Sequence, residues 1–462
     1  MSGHPVLIVV LNKETQEFEL DEEALRGVLL SPEVGDKPVC VVAVAGAFRT
    51  GKSFLLNFLV KYCVNEGLPN WLGDPSQPLE GFVWSTGMEG QTAGIYIWSE
   101  PFTIYAKPSG KEVAVILMDT QGTFDTQTSP RDSTYIFALT LLTSSVTVYN
   151  LMNNIREDDL TNLQTFSTYG ASAQKEIKES RAFQNLLLLV RDWSFPQQHP
   201  CGHEGGQVVL EKVLGQLGEK AEKLMNASTH QRLMRQGLRQ SFEKLECYLM
   251  PHIGLGAAED SNFDGRPNQL SPQFVEHIKL LVPRLLAPER LVVKRSAARR
   301  GQPATGEELV DFIKTYMAVF REGKLVEPTS LAEMMARVCS NGARNISLEV
   351  YKNAMNSIVF PNGKQLEASV LMSQHFAFKR DAVAAYLREN QYADSSEQFP
   401  VVHEVKEQLE NEIDDHLLHY TEVNDHNRIK EQMKKLEEYV EAAVKIGAQA
   451  VTLAGIYLSR RP

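Results

Sequence analysis

The residues best equipped for chemistry lie together in Gly46-Ala-Phe-Arg-Thr-Gly-Lys-Ser-Phe54. Two glycines five apart, then Lys-Ser, is the spacing of a phosphate-binding loop, or P-loop. Gly46 and Gly51 let the backbone bend so that successive N–H groups face one anion. Lys52 would reach the β- and γ-phosphates of a nucleotide, and the Ser53 hydroxyl would ligate Mg²⁺. The binding set drawn from this stretch is Gly46, Arg49, Thr50, Gly51, Lys52, Ser53 and Phe54.

Three later positions complete a switch. Thr92 closes a polar loop just before the apolar Ile95-Tyr-Ile-Trp98. A threonine there offers a second Mg²⁺ ligand, of the kind that orders a loop while γ-phosphate is present. Asp119-Thr-Gln-Gly122 follows the apolar run Val113–Met118. A carboxylate at the end of a buried parallel strand lies where such sheets bind ligands. Asp119 would hold Mg²⁺ through water, and the Gly122 N–H would sense γ-phosphate. Small GTPases often carry glutamine after this glycine, where this chain has Thr123. Arg49 is therefore the candidate for charge stabilisation in cis, which gives a catalytic set of Arg49, Lys52 and Thr92. Asp192 ends another apolar run, Leu186–Val190, after Arg191. A carboxylate accepts both the N1–H and the exocyclic amine of guanine, a donor pair adenine lacks. The common guanine-reading motif Asn-Lys-x-Asp is absent, so spacing alone leaves Asp192 between base reading and an ordinary strand end. An ATP-using enzyme stays open on the same ground.

These residues need a frame. The run Val41–Ala45 is a buried strand, and Phe54-Leu-Leu opens a helix that runs to about Val64. Continuous apolar strands alternating with helices predict an α/β domain with a mostly parallel sheet. Residues 207–248 read as a pair of helices, and 274–286 and 307–320 as two more. Gly323 and Pro328 punctuate a boundary, after which the pattern is helical to the end apart from the turn Pro361-Asn-Gly-Lys364. Ile429, Met433, Leu436, Val440, Ala443 and Gly447 keep a heptad rhythm, which suits a helical bundle or a parallel coil.

Composition sets bounds. At 462 residues, two or three domains are expected. The net charge of −11 provides no global field for nucleic acid. The basic patch Arg295–Arg300 reads as a solvated loop before it reads as a lipid or phosphate contact. Five widely spaced cysteines without a CxxC pair read as reduced thiols, and Cys201-Gly-His203 as a loop without metal. No signal peptide is evident at the start. No uninterrupted run of 18 apolar residues occurs, and the nearest candidate, Ala442–Leu458, contains Lys445 and Gln449.

Four stretches together resemble the atlastins, in the guanylate-binding-protein and atlastin branch of the dynamin-like GTPases. They are Gly46-Ala-Phe-Arg-Thr-Gly-Lys-Ser-Phe-Leu-Leu-Asn57, Thr92-Ala-Gly-Ile-Tyr-Ile-Trp-Ser99, Met118-Asp-Thr-Gln-Gly-Thr-Phe-Asp125 and Val190-Arg-Asp-Trp-Ser-Phe-Pro196. The likeness is close over residues 5–320 and looser beyond. It implies a P-loop GTPase domain at 1–320, a linker or hinge at 321–329, an all-α helical-bundle middle domain at 330–445 and a weakly apolar tail at 446–462. It also implies GTP as substrate with Mg²⁺, a GTP-dependent homodimer through the G domain, and homotypic tethering and fusion of endoplasmic reticulum membranes from their cytoplasmic face. Within it, Arg49 matches the catalytic arginine, Thr92 the switch threonine, Asp119 the metal-linked acid and Arg191-Asp192 the guanine-reading pair. Pro251-His252 would lie near the cap over the base. Gly90 and Ala93 depart from the family pattern beside the switch, and the membrane hairpin of the family has no clear counterpart. The alternative is a cytosolic, GTP-switched interaction protein of guanylate-binding type, if the chain naturally ends at Pro462.

Overall fold

The structure, a computed structural model, describes residues 3–12, 17–47, 50–84, 94–120, 130–163, 183–214, 229–260, 262–296, 299, 302–321, 328–359, 366–397 and 399–459. The chain divides into two compact units, Met1–Val338 and Cys339–Pro462.

A nine-stranded sheet carries the first unit: β1 (Pro5–Leu11), β2 (Phe18–Leu20), β3 (Val39–Gly46), β4 (Ile95–Trp98), β5 (Phe102–Ala106), β6 (Lys111–Thr120), β7 (Val146–Met152), β8 (Phe183–Arg191) and β9 (Phe242–Leu249). Their order is β2-β1-β4-β6-β3-β7-β8-β9, with β5 paired to the start of β6. The block β6-β3-β7-β8-β9 is parallel throughout, and the strands around β1, β4 and β5 join antiparallel. Every residue of β3 is buried. Val41, Ala43 and Ala45 face one core, while Cys40, Val42 and Val44 face the other. A strand covered on both sides is apolar at every position, which explains the unbroken run in the sequence.

Helices cover both faces. On one side lie α1 (Glu22–Leu29), α3 (Pro130–Thr143), α4 (His203–Leu214) and α8 (Gly306–Arg321). On the other lie α2 (Lys52–Val64) and α7 (Pro272–Leu286). The helix α5 (Thr229–Ser241) leads into β9, and the short α6 (Leu255–Glu259) follows it.

One sequence expectation changes here. Residues 207–248 are not two helices, because the second helix stops at Ser241 and Phe242–Leu249 becomes a parallel strand on the open edge of β8. Phe242, Cys247, Tyr248 and Leu249 are buried there, while Glu243 and Lys244 stay exposed. Pairing to an open edge outweighs the helical spacing. Two arginines of the basic patch are paired within the fold, Arg295 with Glu243 at 2.7 Å and Arg299 with Glu308 at 2.5 Å, and Arg300 lies outside the described residues.

Among the described residues, three helices build the second unit: α9 (Pro328–Val359, shared with the first), α10 (Ala368–Glu389) and α11 (Pro400–Ser459). Its core includes Tyr351, Leu371, Tyr386, Leu409 and Ile413. A polar chain running from buried Tyr351 and His375 out to exposed Asp414 ties the three together. The Tyr351 hydroxyl lies 2.9 Å from His375 Nδ1, His375 Nε2 lies 3.3 Å from Asp414, and Lys379 donates to Asp414 at 2.7 Å.

Burial holds the His375 imidazole below its ordinary pKa; Asp414 draws it up and Lys379 pushes it down. The fold therefore keeps His375 neutral where an unfolded chain would already bind a proton. The stability this brings is complete above about pH 6.5 and is lost as pH falls through the folded value. In thermal denaturation at pH 7.5, His375→Gln is expected to destabilise the helical unit by about 1–2 kcal/mol. The gap from wild type should narrow towards pH 5.5, and a constant gap would show that the imidazole's charge is not involved.

Candidate functional site

The parallel strands deliver their carboxyl ends side by side. In register, Val44 faces Asp119, Gly46 faces Asn150 and Met152 faces Arg191. Gly46, Asp119, Asn150 and Arg191 thus stand along one rim of the sheet, where α/β folds bind ligands.

The loop leaves β3 at Gly46 and enters α2 at Lys52. Gly46 has φ +143°, and a Cβ there would lie 2.4 Å from the Asn150 carbonyl oxygen. Gly51 has φ +75°, and its Cβ would meet Arg191 Nη1 at 2.6 Å. Both positions need glycine for conformation and for space. Three donors turn the loop carbonyls inward. Asn150 Nδ2 donates to Thr50 O at 2.9 Å, and Arg191 Nη1 to Thr50 O at 3.2 Å and Gly51 O at 3.4 Å. Thr50 Oγ1 donates to Ala47 O at 2.9 Å. A trans peptide sets C=O and the next N–H on opposite sides, so carbonyls held inward aim N–H groups outward. The start of α2 adds its dipole to that cradle.

Lys52 folds back over the loop, with Nζ 3.0 Å from Ala47 O. Ser53 Oγ donates to Asp119 Oδ2 at 2.5 Å, and both residues are buried. A hydroxyl and a carboxylate joined directly below a phosphate cradle form a hard, all-oxygen pair, the chemistry Mg²⁺ prefers. Thr120 Oγ1 donates to Val44 O at 2.9 Å and fixes the end of β6 against β3.

The Phe54 side chain is a core residue. It packs against Phe58, Trp84, Phe263 and Phe274 at centroid distances of 5.0–6.3 Å, so only its backbone can serve a ligand. The Arg191 side chain is buried as well. Its guanidinium lies under the loop, 5.6 Å from the Phe274 ring centroid, among Phe54, Leu189 and Met250. Burial lowers its pKa and Asp192 opposes that shift. Arg191 braces the glycine loop through its bonds to Thr50 O and Gly51 O.

Asp192 has φ +53°, a left-handed conformation uncommon outside glycine. Its Oδ1 is buried and has no hydrogen-bond partner among the described residues. The strand end around it is fixed, since Trp193 N–H donates to Met250 O at 3.0 Å and Asn153 N–H to Arg191 O at 2.7 Å. The first of these bonds sets Pro251-His252 directly after the residue that meets Trp193. A buried carboxylate oxygen without a protein partner, at a left-handed backbone position, can accept from a bound donor.

Of the expected site residues, Gly46, Thr50, Gly51, Lys52, Ser53, Asp119, Arg191 and Asp192 come together on this rim. Arg49, Thr92 and Gly122 lie outside the described residues. Sequence reading missed Asn150. Its signal was an asparagine ending the strand-like Val146–Tyr149 run, beside the strand that feeds the loop.

The rim, the glycine loop and the Ser–Asp pair define a P-loop nucleotide hydrolase. The family model for the guanylate-binding protein N-terminal domain matches residues 15–295. Atlastin-1 of Bos taurus is 40% identical over 425 residues, 92% of this chain and 73% of the relative. Atlastin-3 of Homo sapiens is 38% identical over 408 residues, 88% of this chain and 73% of the relative. Atlastin-2 of Macaca fascicularis is 40% identical over 382 residues, 83% and 66% respectively. The chain belongs to the guanylate-binding-protein family and, within it, to the atlastin type of large GTPase.

Asn150→Ala removes a buried donor from the Thr50 carbonyl. It is expected to cost about 1–2 kcal/mol of loop order, or roughly ten-fold in nucleotide affinity by titration calorimetry. Unchanged affinity would mean that Arg191 alone holds the loop.

Proposed function

We propose that this chain binds GTP with Mg²⁺ at the rim and couples its hydrolysis to pairing of two G domains. Movement of the helical unit then tethers and fuses membranes of the endoplasmic reticulum from their cytoplasmic face. The observation that carries the base assignment is the unpartnered Asp192 Oδ1, buried at the end of β8 beside the arginine that braces the phosphate loop. Guanine would satisfy it with two donors, and adenine would leave it unpaired.

Ser53 and Asp119 would hold the ion, with Thr92 as its further ligand; when bound, Mg²⁺ neutralises charge on the β- and γ-phosphates. Lys52 and the outward N–H groups of Gly51, Lys52 and Ser53 hold the phosphates. Gly122 reports the γ-phosphate. Arg49 supplies the charge stabilisation that glutamine provides in small GTPases. Pairing, tethering and location draw their support from similarity to the atlastins over most of the chain. Matching of the guanylate-binding-protein model to the G domain supports a second reading, a GTP-switched interaction protein without fusion activity. No helix among the described residues is long and apolar enough to cross a membrane.

Side-by-side turnover of GTP and ATP tests the base assignment. GTP should be preferred strongly, and Asp192→Asn should lower GTP affinity by about 10²-fold or more while shifting preference towards xanthosine triphosphate. Equal use of GTP and ATP would reject Asp192 as the base reader. Arg49→Ala is expected to keep GTP binding but slow hydrolysis by about 10³-fold or more, and unchanged single-turnover rates would remove it from the chemistry. Lipid mixing by the chain held on vesicles separates the two readings, since GTP-dependent mixing supports fusion and its absence favours the interaction protein.

A further inference from the structure

Three non-glycine residues among the described ones hold a positive φ: Glu66 (+52°), Asn153 (+64°) and Asp192 (+53°). Glu66 sits just past the end of α2, where a left-handed residue is an ordinary helix stop. The other two stand at the ends of adjacent strands, and one hydrogen bond links their backbones, from Asn153 N–H to Arg191 O at 2.7 Å. Two uncommon conformations joined at one rim call for a shared cause.

The ladders on either side of β8 supply it. In a parallel ladder, a residue that donates to one position accepts from the position two further on. Asn153 N–H donates to Arg191 O, so Asn153 O should accept from Trp193; it accepts from Ser194 instead, at 3.3 Å. On the other side Met250 N–H donates to Val190 O at 2.8 Å, so Met250 O should accept from Asp192; it accepts from Trp193 instead, at 3.0 Å. The end of β8 thus carries one extra residue against both neighbours at once. Such a bulge leaves its extra residue out of the pairing and re-aims a side chain. The core shows the effect. Leu186, Leu188 and Val190 face one core, and Leu187 and Leu189 the other. Plain alternation would put Asp192 in the first core, but Trp193 takes that place. The extra residue keeps a carboxylate out of the apolar layer and at the rim.

Asn153 holds the β7 side of this arrangement. It is the centre of a three-residue turn in which Asn154 N–H donates to Met152 O at 2.7 Å. With a positive φ, that is the rare and strained form of the γ-turn. Asn153 is exposed, so what it supplies is backbone geometry and not core packing. We propose that Asn153 is a positioning residue for base selectivity: its turn presents N–H and C=O to Arg191 and Ser194, which bracket Asp192, and so fixes the bulge that sets the carboxylate. Asparagine accepts a left-handed conformation with little strain, and a β-branched residue does not. The inference rests on Asp192 as the base reader.

Affinities of the full chain for GTP, inosine triphosphate and inorganic triphosphate, each with Mg²⁺, test it. Inosine keeps the N1–H but lacks the exocyclic amine, so the ratio of GTP to inosine triphosphate affinity reads the aim of the carboxylate. Asn153→Val should lower that ratio by about ten-fold and bind inorganic triphosphate as the wild type does, whereas Asn153→Gly should keep the wild-type ratio. Asn153→Ala, which strains the turn less, should lower the ratio by about three-fold and gives the reading should the valine variant not fold. Added to Asp192→Asn, Asn153→Val should lower the ratio no further. An unchanged ratio in the valine and alanine variants, an equal loss in the valine and glycine variants, or a matching loss of inorganic triphosphate binding would overturn the proposal. Asp192→Asn alone separates the two readings. If it leaves the ratio unmoved, base reading by Asp192 fails and the positioning role with it. If it collapses the ratio and Asn153→Val does not, the positioning role alone fails.

Discussion

The carbonyl of Thr50 is the point on which the nucleotide site turns. Two buried donors from neighbouring strands converge on it, Asn150 Nδ2 at 2.9 Å and Arg191 Nη1 at 3.2 Å. Neither donor could reach it unless β3, β7 and β8 ran parallel and ended level. Without them, a loop rich in glycine would sample many conformations, and ordering it would fall to the ligand. The sheet bears that ordering cost during folding, and the loop meets phosphate already shaped.

The same arginine joins two recognition tasks. Arg191 braces the glycine loop, and the next residue, Asp192, which we propose reads the base, holds a left-handed conformation. Under that proposal, adjacent positions of one strand end would let base and phosphates be read from one piece of backbone. The apolar walls around the guanidinium, Leu189, Met250 and Phe274, make each of its hydrogen bonds worth more than at the surface, and make their loss more costly.

Much of this was legible in the sequence because it depends on local patterns. The unbroken apolar run of β3, the two glycines and Lys-Ser announce strand, loop and helix in order, and the structure has β3, the loop and α2 there. What stayed hidden depends on partners distant in sequence. Asn150 is an ordinary asparagine until β7 lies beside β3. Phe242–Leu249 keeps helical spacing and becomes a strand because β8 leaves an edge to be filled. Arg191 is an arginine at a strand end until the path of the loop over it shows its bonds to Thr50 O and Gly51 O. The heptad residues of α11 were visible from their spacing, but spacing does not tell a seam covered within the bundle from one left open to water.

The length of α11 has a mechanical meaning. Sixty residues of unbroken helix measure about 90 Å, of which roughly 48 Å lies beyond Asn427, where the bundle no longer holds it. Such a rod is a lever arm. A tilt of about 5° at its held end displaces the far end by about 4 Å, on the basis of that length. Small adjustments in packing around His375 and Asp414 would therefore emerge at the tip as movements the size of a side chain.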